Sequence, residues 1–175
     1  MENKKIIYMD NNATTRVYEE VLEAMLPYFK EKYFNPSSMY SSAGIVHKEM
    51  ENGRGQVADF LGCEPIEVCF VSCGSEGDNM AIRGTIEAYP TKNHIITTKV
   101  EHPAVIETCK SLERLGYRIT LLNVDNDGNI DLEELKKSVN ESTAIVSIMY
   151  ANNETGVIFP IKEIGEIVKS AGAVL

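Results

Sequence analysis

From Glu67 to its last residue the sequence alternates short extended runs with amphipathic helical stretches, and this alternation restricts the fold more than any other feature. Val68-Cys69-Phe70-Val71 reads as a first short strand, followed by a helix over Glu76–Ala88. His94–Thr98 reads as extended. A helix over Ala104–Leu115 follows, with Gly116 where a helix C-cap favours glycine. Arg118–Leu122 is a further extended run, and Asp125-Asn126-Asp127-Gly128 is a turn. Asp131 can cap a helix running to Val139, Thr143–Met149 is strongly extended, and Pro160–Ser170 is a last helix. Strands separated by helices of this length must cross over and pair in parallel, which predicts a three-layer α/β/α domain. Ligands in such sheets sit beyond the carboxyl ends of the strands, so functional residues are sought just after each strand.

The first third of the chain is helical in pattern. Val17, Val21, Met25 and Tyr28 share one face of a stretch from Val17 to Tyr33, with Pro27 expected to bend or interrupt it. Asn35-Pro36-Ser37-Ser38 is a turn, and Ser42–Leu61 is a second helix. Gly53 and Gly55 lie inside that helix, each costing roughly 1 kcal/mol against alanine. The expected organisation is a loop over residues 1–16, a helical segment over 17–62 and an α/β domain over 63–175. Ala171-Gly172 reads as a helix terminus and Ala173-Val174-Leu175 as the opening of another buried strand. A chain stopping inside a strand leaves a sheet edge unpaired. The expectation is therefore a truncated domain that exposes an apolar face carrying Val146 and Ile148.

Charge and composition exclude several classes. A formal net charge of -9, without a Lys/Arg run, argues against a broad basic surface for nucleic acid. No apolar stretch approaches the ~20 residues of a membrane span. The charged start, Met1 to Lys5, leads into Ile6-Ile7-Tyr8-Met9-Asp10 without a signal-peptide apolar segment, so the expected location is cytoplasmic. Cys63, Cys69, Cys73 and Cys109 form no CxxC pair. Cys63, Cys69 and Cys73 read as small residues in or beside the strand Val68–Ser72, with a zinc or iron–sulfur site as the alternative.

Three polar clusters pass the strand-end filter. Ser72-Cys73-Gly74-Ser75-Glu76-Gly77 lies between a strand and a helix, where free backbone N–H groups and the helix dipole suit a phosphate. An ordinary capping turn on Ser72 or Ser75 fits the same residues. Glu101-His102-Pro103 follows the His94–Thr98 strand; His102 could stack on a planar ring or move a proton, or simply cap the next helix. His47 and His94 have no such setting and are read as structural. Asn152-Asn153-Glu154-Thr155-Gly156 follows the Thr143–Met149 strand and offers either a polar floor for a ligand or an Asx-rich turn. Taken together, the three suit a phosphorylated aromatic cofactor.

The order and spacing of Asp10-Asn11-Asn12-Ala13-Thr14-Thr15, Asn35-Pro36-Ser37-Ser38, Ser72-Cys73-Gly74-Ser75-Glu76, Glu101-His102-Pro103-Ala104-Val105, and Ser147-Ile148-Met149 with Asn152–Gly156 resemble cysteine desulfurases of the NifS/IscS type, in the class V aminotransferase group. The resemblance spans the whole chain. Ser72-Cys73-Gly74 and the run Glu154–Ile161 look closest to the nitrogen-fixation branch. The resemblance implies the large domain of a pyridoxal-phosphate-dependent transferase of the aspartate-aminotransferase-like fold, truncated. It implies pyridoxal 5'-phosphate as cofactor, L-cysteine as substrate, a homodimer for the full-length protein and an iron–sulfur scaffold protein as sulfur acceptor, with neither nucleic acid nor membrane as partner. Gly74 and Ser75 match the positions that hold the cofactor phosphate. His102 matches the His that stacks on the pyridine ring and moves protons, and Asn153 the Asn near the cofactor's phenolic oxygen. The loop over residues 1–16 lies near the active site in the family.

Departures accompany the match. The family's pyridine-pairing Asp, Schiff-base Lys and persulfide-accepting Cys have no counterpart in residues 1–175, so these residues alone are expected to be inactive. Tyr40 stands where the family usually has His, and Phe34 where it usually has Gly. Two alternatives stay open at this level: a non-catalytic half-protein or split subunit completed by a second polypeptide, and a selenocysteine lyase or other class V enzyme.

Overall fold

The computed structural model describes residues 6–175, so Met1–Lys5, where the charged N-terminal segment and the expected loop begin, lie outside the described residues. The chain divides into two compact units between Phe70 and Val71.

The first unit is helical. Helix α1 spans Glu19–Lys30 and α2 spans Ser41–Leu61, followed by a single 3-10 turn at Pro65–Glu67. Glu19 and Glu20 in the first turn of α1 and Lys30 in the last complement the helix dipole. Pro27 does not interrupt α1. The helix continues to Lys30, and the N–H groups of Glu31 and Lys32 both return to the Pro27 carbonyl. So near the C-terminus, proline removes one hydrogen bond and the helix ends within a turn of it. Glu49 of α2 ties the helices together, accepting from Lys32 Nζ at 2.7 Å and Tyr28 Oη at 2.9 Å. These donors, Lys32 first, hold its carboxyl below the usual range. Phe34 and Tyr40, the two departures from the family pattern, meet edge-on at 6.1 Å, with Tyr33 stacked on Phe34 at 5.1 Å. They form one aromatic contact rather than two separate changes. A Cβ at Gly53 would meet nothing within 4 Å. No contact therefore requires glycine there, and Gly53→Ala is expected to stabilise the chain by roughly 0.5–1 kcal/mol, read as a raised denaturation midpoint.

The second unit is a parallel three-stranded sheet in the order β2-β1-β3, with β1 His94–Thr98, β2 Arg118–Leu122 and β3 Thr143–Ser147. Helices α3 Gly74–Ala88, α4 Pro103–Glu113, α5 Leu132–Ser138 and α6 Ile161–Ser170 complete it. Central strand β1 is buried throughout, and its alternation splits the core in two. Ile96 faces Leu135 of α5 and Ile164 and Val168 of α6. Ile95 faces Ile82 and Ile86 of α3 and Val105, Cys109 and Leu112 of α4. Helices thus cover both faces, giving the expected three-layer α/β/α arrangement, with each fully buried Ile or Leu contributing roughly 1.5–3 kcal/mol. Val174 adds a parallel bridge beside Ile145, with Val174 N–H on the Ala144 carbonyl at 3.0 Å and Val146 N–H on the Val174 carbonyl at 2.8 Å. The strand-like reading of Ala173–Leu175 holds to that extent.

Three expectations require correction. Val68–Val71 is not a strand; Phe70 is 53% exposed and no ladder forms along the run. An apolar run becomes a strand only where an edge accepts its backbone groups, and among the described residues none does. The cysteines beside it follow: Cys69 and Cys73 are exposed and Cys63 partly so, while only Cys109 is buried. Val146 is not exposed but fully buried under α6, because α5 and α6 already cover its face of the sheet.

Candidate functional site

The first turn of α3 stands just before the sheet layer. The helix begins at Gly74, two residues earlier than its apolar periodicity suggests, with Cys73 as N-cap. Neither Ser72 nor Ser75 is the N-cap residue. Ser72 instead donates its N–H and its hydroxyl to Glu76 Oε2, both at 2.6 Å, which draws that carboxylate back along the entering chain. These two bonds hold the Glu76 carboxyl below its usual range. Gly74, Ser75 and Glu76 then occupy the first three helical positions, whose N–H groups have no acceptor within the helix. The Cys73 thiol is held below the ordinary range by the Glu76 N–H, then the Ser72 hydroxyl, with a further part from the Ser75 N–H. The same donors, with the exposed Ser75 hydroxyl, fit a phosphate. Asn79 Nδ2 donates to the Ser75 carbonyl at 2.9 Å, and Arg83 links Asn79 to Ser111 of α4 through bonds of 3.2 and 3.1 Å.

His102 is the N-cap of α4. Its Nδ1 accepts from the Ala104 N–H at 3.1 Å, which leaves the proton on Nε2, and its ring is exposed. Capping and an accessible ring therefore coexist in one residue. The neighbouring Glu101 points the other way, into the protein. Glu101 Oε1 accepts from the Met149 N–H at 2.9 Å and from Thr98 Oγ1 at 3.1 Å. Burial pushes its carboxyl above the usual range, against the pull of these two bonds.

The two adjacent asparagines separate sharply. Asn153 is exposed, with Nδ2 3.3 Å from Glu154 Oε1. Asn152 is 7% exposed and organises the loop. Its Oδ1 accepts from the N–H groups of Glu154 and Thr155, both at 2.9 Å, and from Thr155 Oγ1 at 3.1 Å. Its Nδ2 donates to the Val100 carbonyl at 3.0 Å. Gly156 closes the turn at φ 76°, a backbone state that glycine adopts without strain.

The turn bearing His102 and the loop bearing Asn153 are thus stitched together at the carboxyl ends of β1 and β3. α3, which carries Gly74 and Ser75, shares a core with α4 on the same face of the sheet. The Asp10–Thr15 segment belongs to the first unit, where the Asp10 carbonyl accepts from the N–H groups of Ala13 and Thr14. His47 is exposed on α2. His94 is buried on β1 between Thr143 Oγ1 at 2.9 Å and Thr120 Oγ1 at 2.8 Å, a structural role as expected. Sequence reasoning missed Glu101 and Asn152 as scaffolding. For Asn152 the signal was the Asx-rich turn reading of Asn152–Gly156, in which the first amide is consumed by the loop.

The sequence matches the family Aminotransferase class-V over residues 7–175. It is 57% identical over 169 residues to a protein named cysteine desulfurase 2 from Trichormus variabilis, covering 97% of this chain and 42% of that protein. Cysteine desulfurase NifS of Azotobacter vinelandii is 44% identical over 167 residues, covering 95% and 42%. Among solved structures, a NifS-like protein superposes with a TM-score of 0.90 at 44% identity, covering 94% of this chain and 46% of that one. A second, described as SspA in complex with cysteine, gives 0.88 at 32% identity, covering 95% and 48%. The chain spans less than half the length of the relatives it matches.

Proposed function

Because the chain belongs to the class-V aminotransferase family, whose enzymes depend on pyridoxal phosphate, we propose that it carries the phosphate seat and the ring-facing wall of a cysteine desulfurase. The reaction removes sulfur from L-cysteine to leave alanine and an enzyme-bound persulfide. The observations that support this reading are an anion-seeking helix start at Gly74–Ser75 and two tethered strand-end loops bearing His102 and Asn153 in one unit, with α3 and α4 sharing a core on one face of the sheet. Bound pyridoxal phosphate supplies an electron sink for bond cleavage at the substrate. Gly74 and Ser75 hold its phosphate through the first-turn N–H groups and the Ser75 hydroxyl. His102, fixed by its Nδ1 contact, presents an N–H at Nε2 and the face of its ring. Asn153 offers an amide donor from the loop tied to the His102 turn.

The same reading extends to a homodimeric full-length enzyme, to an iron–sulfur scaffold protein as sulfur acceptor and to the cytoplasm. The support for these is the resemblance of the motifs. Among the described residues no helix is long and apolar enough to cross a membrane. The test is product analysis of the complete polypeptide with pyridoxal phosphate and L-cysteine. Equal amounts of alanine and protein persulfide support the proposal. Turnover of L-selenocysteine with none of L-cysteine, or amino transfer to a keto acid, would overturn it.

A further inference from the structure

Asn152 and Asn153 are neighbours in sequence with opposite settings, and the buried one has a bonding pattern few side chains can supply. Three donors converge on one atom of the Asn152 amide, which must be its oxygen; a carbonyl faces the other, which must be its nitrogen. The oxygen side folds the loop on itself. The nitrogen side reaches across to Val100, two residues before His102. Aspartate would keep the first function and lose the second, and serine lacks the reach for both. Glu101 makes an independent tie between the same two segments through the Met149 N–H.

We infer that Asn152 is a positioning residue, whose amide sets the spacing between the His102 turn and the Asn153 loop, with the Glu101–Met149 bond as a second tie. This rests on the proposal that His102 and Asn153 address the cofactor ring. An Asn153 amide near the phenolic oxygen would stabilise its ionised form, so a displaced loop should move the protonation midpoint of the bound chromophore while leaving the phosphate seat untouched.

The experiment compares the full-length protein with its Asn152→Asp and Asn152→Ser variants, and with Thr155→Val, which alters the same loop but not the bridge to Val100. Two readouts are taken: the pH midpoint of the visible absorbance of bound pyridoxal phosphate, and hydrogen exchange of residues 99–104 and 149–157 without cofactor. Both Asn152 variants are expected to shift the midpoint by on the order of one pH unit. They should also speed exchange in residues 99–104, although the substitution lies in the other segment; Thr155→Val should do neither. Faster exchange confined to residues 149–157 with an unmoved midpoint would overturn the inference, and serine keeps the test open should the aspartate variant not fold. If the parent protein binds no pyridoxal phosphate, the functional proposal fails, and exchange in residues 99–104 still decides whether Asn152 ties the two segments.

Discussion

Residues 1–175 supplied with pyridoxal phosphate, L-cysteine and a thiol reductant are expected to release neither sulfide nor alanine above the rate of free cofactor. The reaction needs a lysine to hold the aldehyde and a thiolate to take the sulfur. The second unit's lysines with visible partners are committed elsewhere. Lys92 clips the amino ends of the sheet through the Thr143 and Gly172 carbonyls. Lys99 is bonded to Asn123 at 2.7 Å, and Lys110 and Lys136 are paired with Glu107 and Glu133. Cys109 is buried, and burial pushes its thiol up to about 11, out of range for a nucleophile at neutral pH. Cys73, the exposed thiol held low, accepts from Ser72 Oγ at 3.7 Å at the helix start proposed to seat the phosphate. Amino-acid analysis and sulfide detection check this, together with borohydride reduction and peptide mapping. Sustained alanine formation, or one lysine specifically trapped with cofactor, would contradict it.

Acid is expected to weaken the second unit through His94 by about 3 kcal/mol between neutral pH and pH 4. His94 sits at the start of the central strand, and burial first, then the Arg118 charge, lowers its pKa from 6.5 to about 4. The folded state therefore favours the neutral ring. Above pH 6.5 both states are neutral and the full stability is present. As pH falls from 6.5 the unfolded chain binds a proton that the folded chain refuses, and stability drains until about pH 4. Glu76 and Asp125 have lowered pKa values, so their share is lost further down. Glu101, pushed up by burial, acts in the opposite sense. Denaturant titrations at pH 7, 6 and 5 check this. His94→Gln should flatten the slope over that window, and an unchanged slope would show that another group is responsible.

Legibility from sequence depended on how local each cause was. The bounds of β1 and β2 follow from extended runs ended by turn residues. Helices α4 and α5 follow from Gly116 and Asp131, whose stopping and capping act within one turn. Val68–Val71 misled because a strand is a property of a pair, and the run has no partner among the described residues. The exposure of Cys69 and Cys73 follows from that single error. α3 starts at Gly74 rather than Glu76 because Glu76 folds back onto Ser72, a contact that apolar periodicity does not register. The long-range ties made by Glu101 and Asn152 were illegible for a different reason. Their partners, Met149 and Val100, lie 48 and 52 residues away in sequence, and only the parallel pairing of β1 with β3 brings them within reach.

Equilibrium binding of pyridoxal phosphate against pyridoxal tests most directly whether the start of α3 holds a phosphate. Several charge-assisted hydrogen bonds from the first turn should favour the phosphorylated form by roughly 10–100-fold. Ser75→Ala should erode that preference while leaving pyridoxal binding unchanged, and inorganic phosphate should compete with the phosphorylated form alone. Equal affinity for the two ligands, or a preference that survives Ser75→Ala intact and ignores inorganic phosphate, would contradict the account.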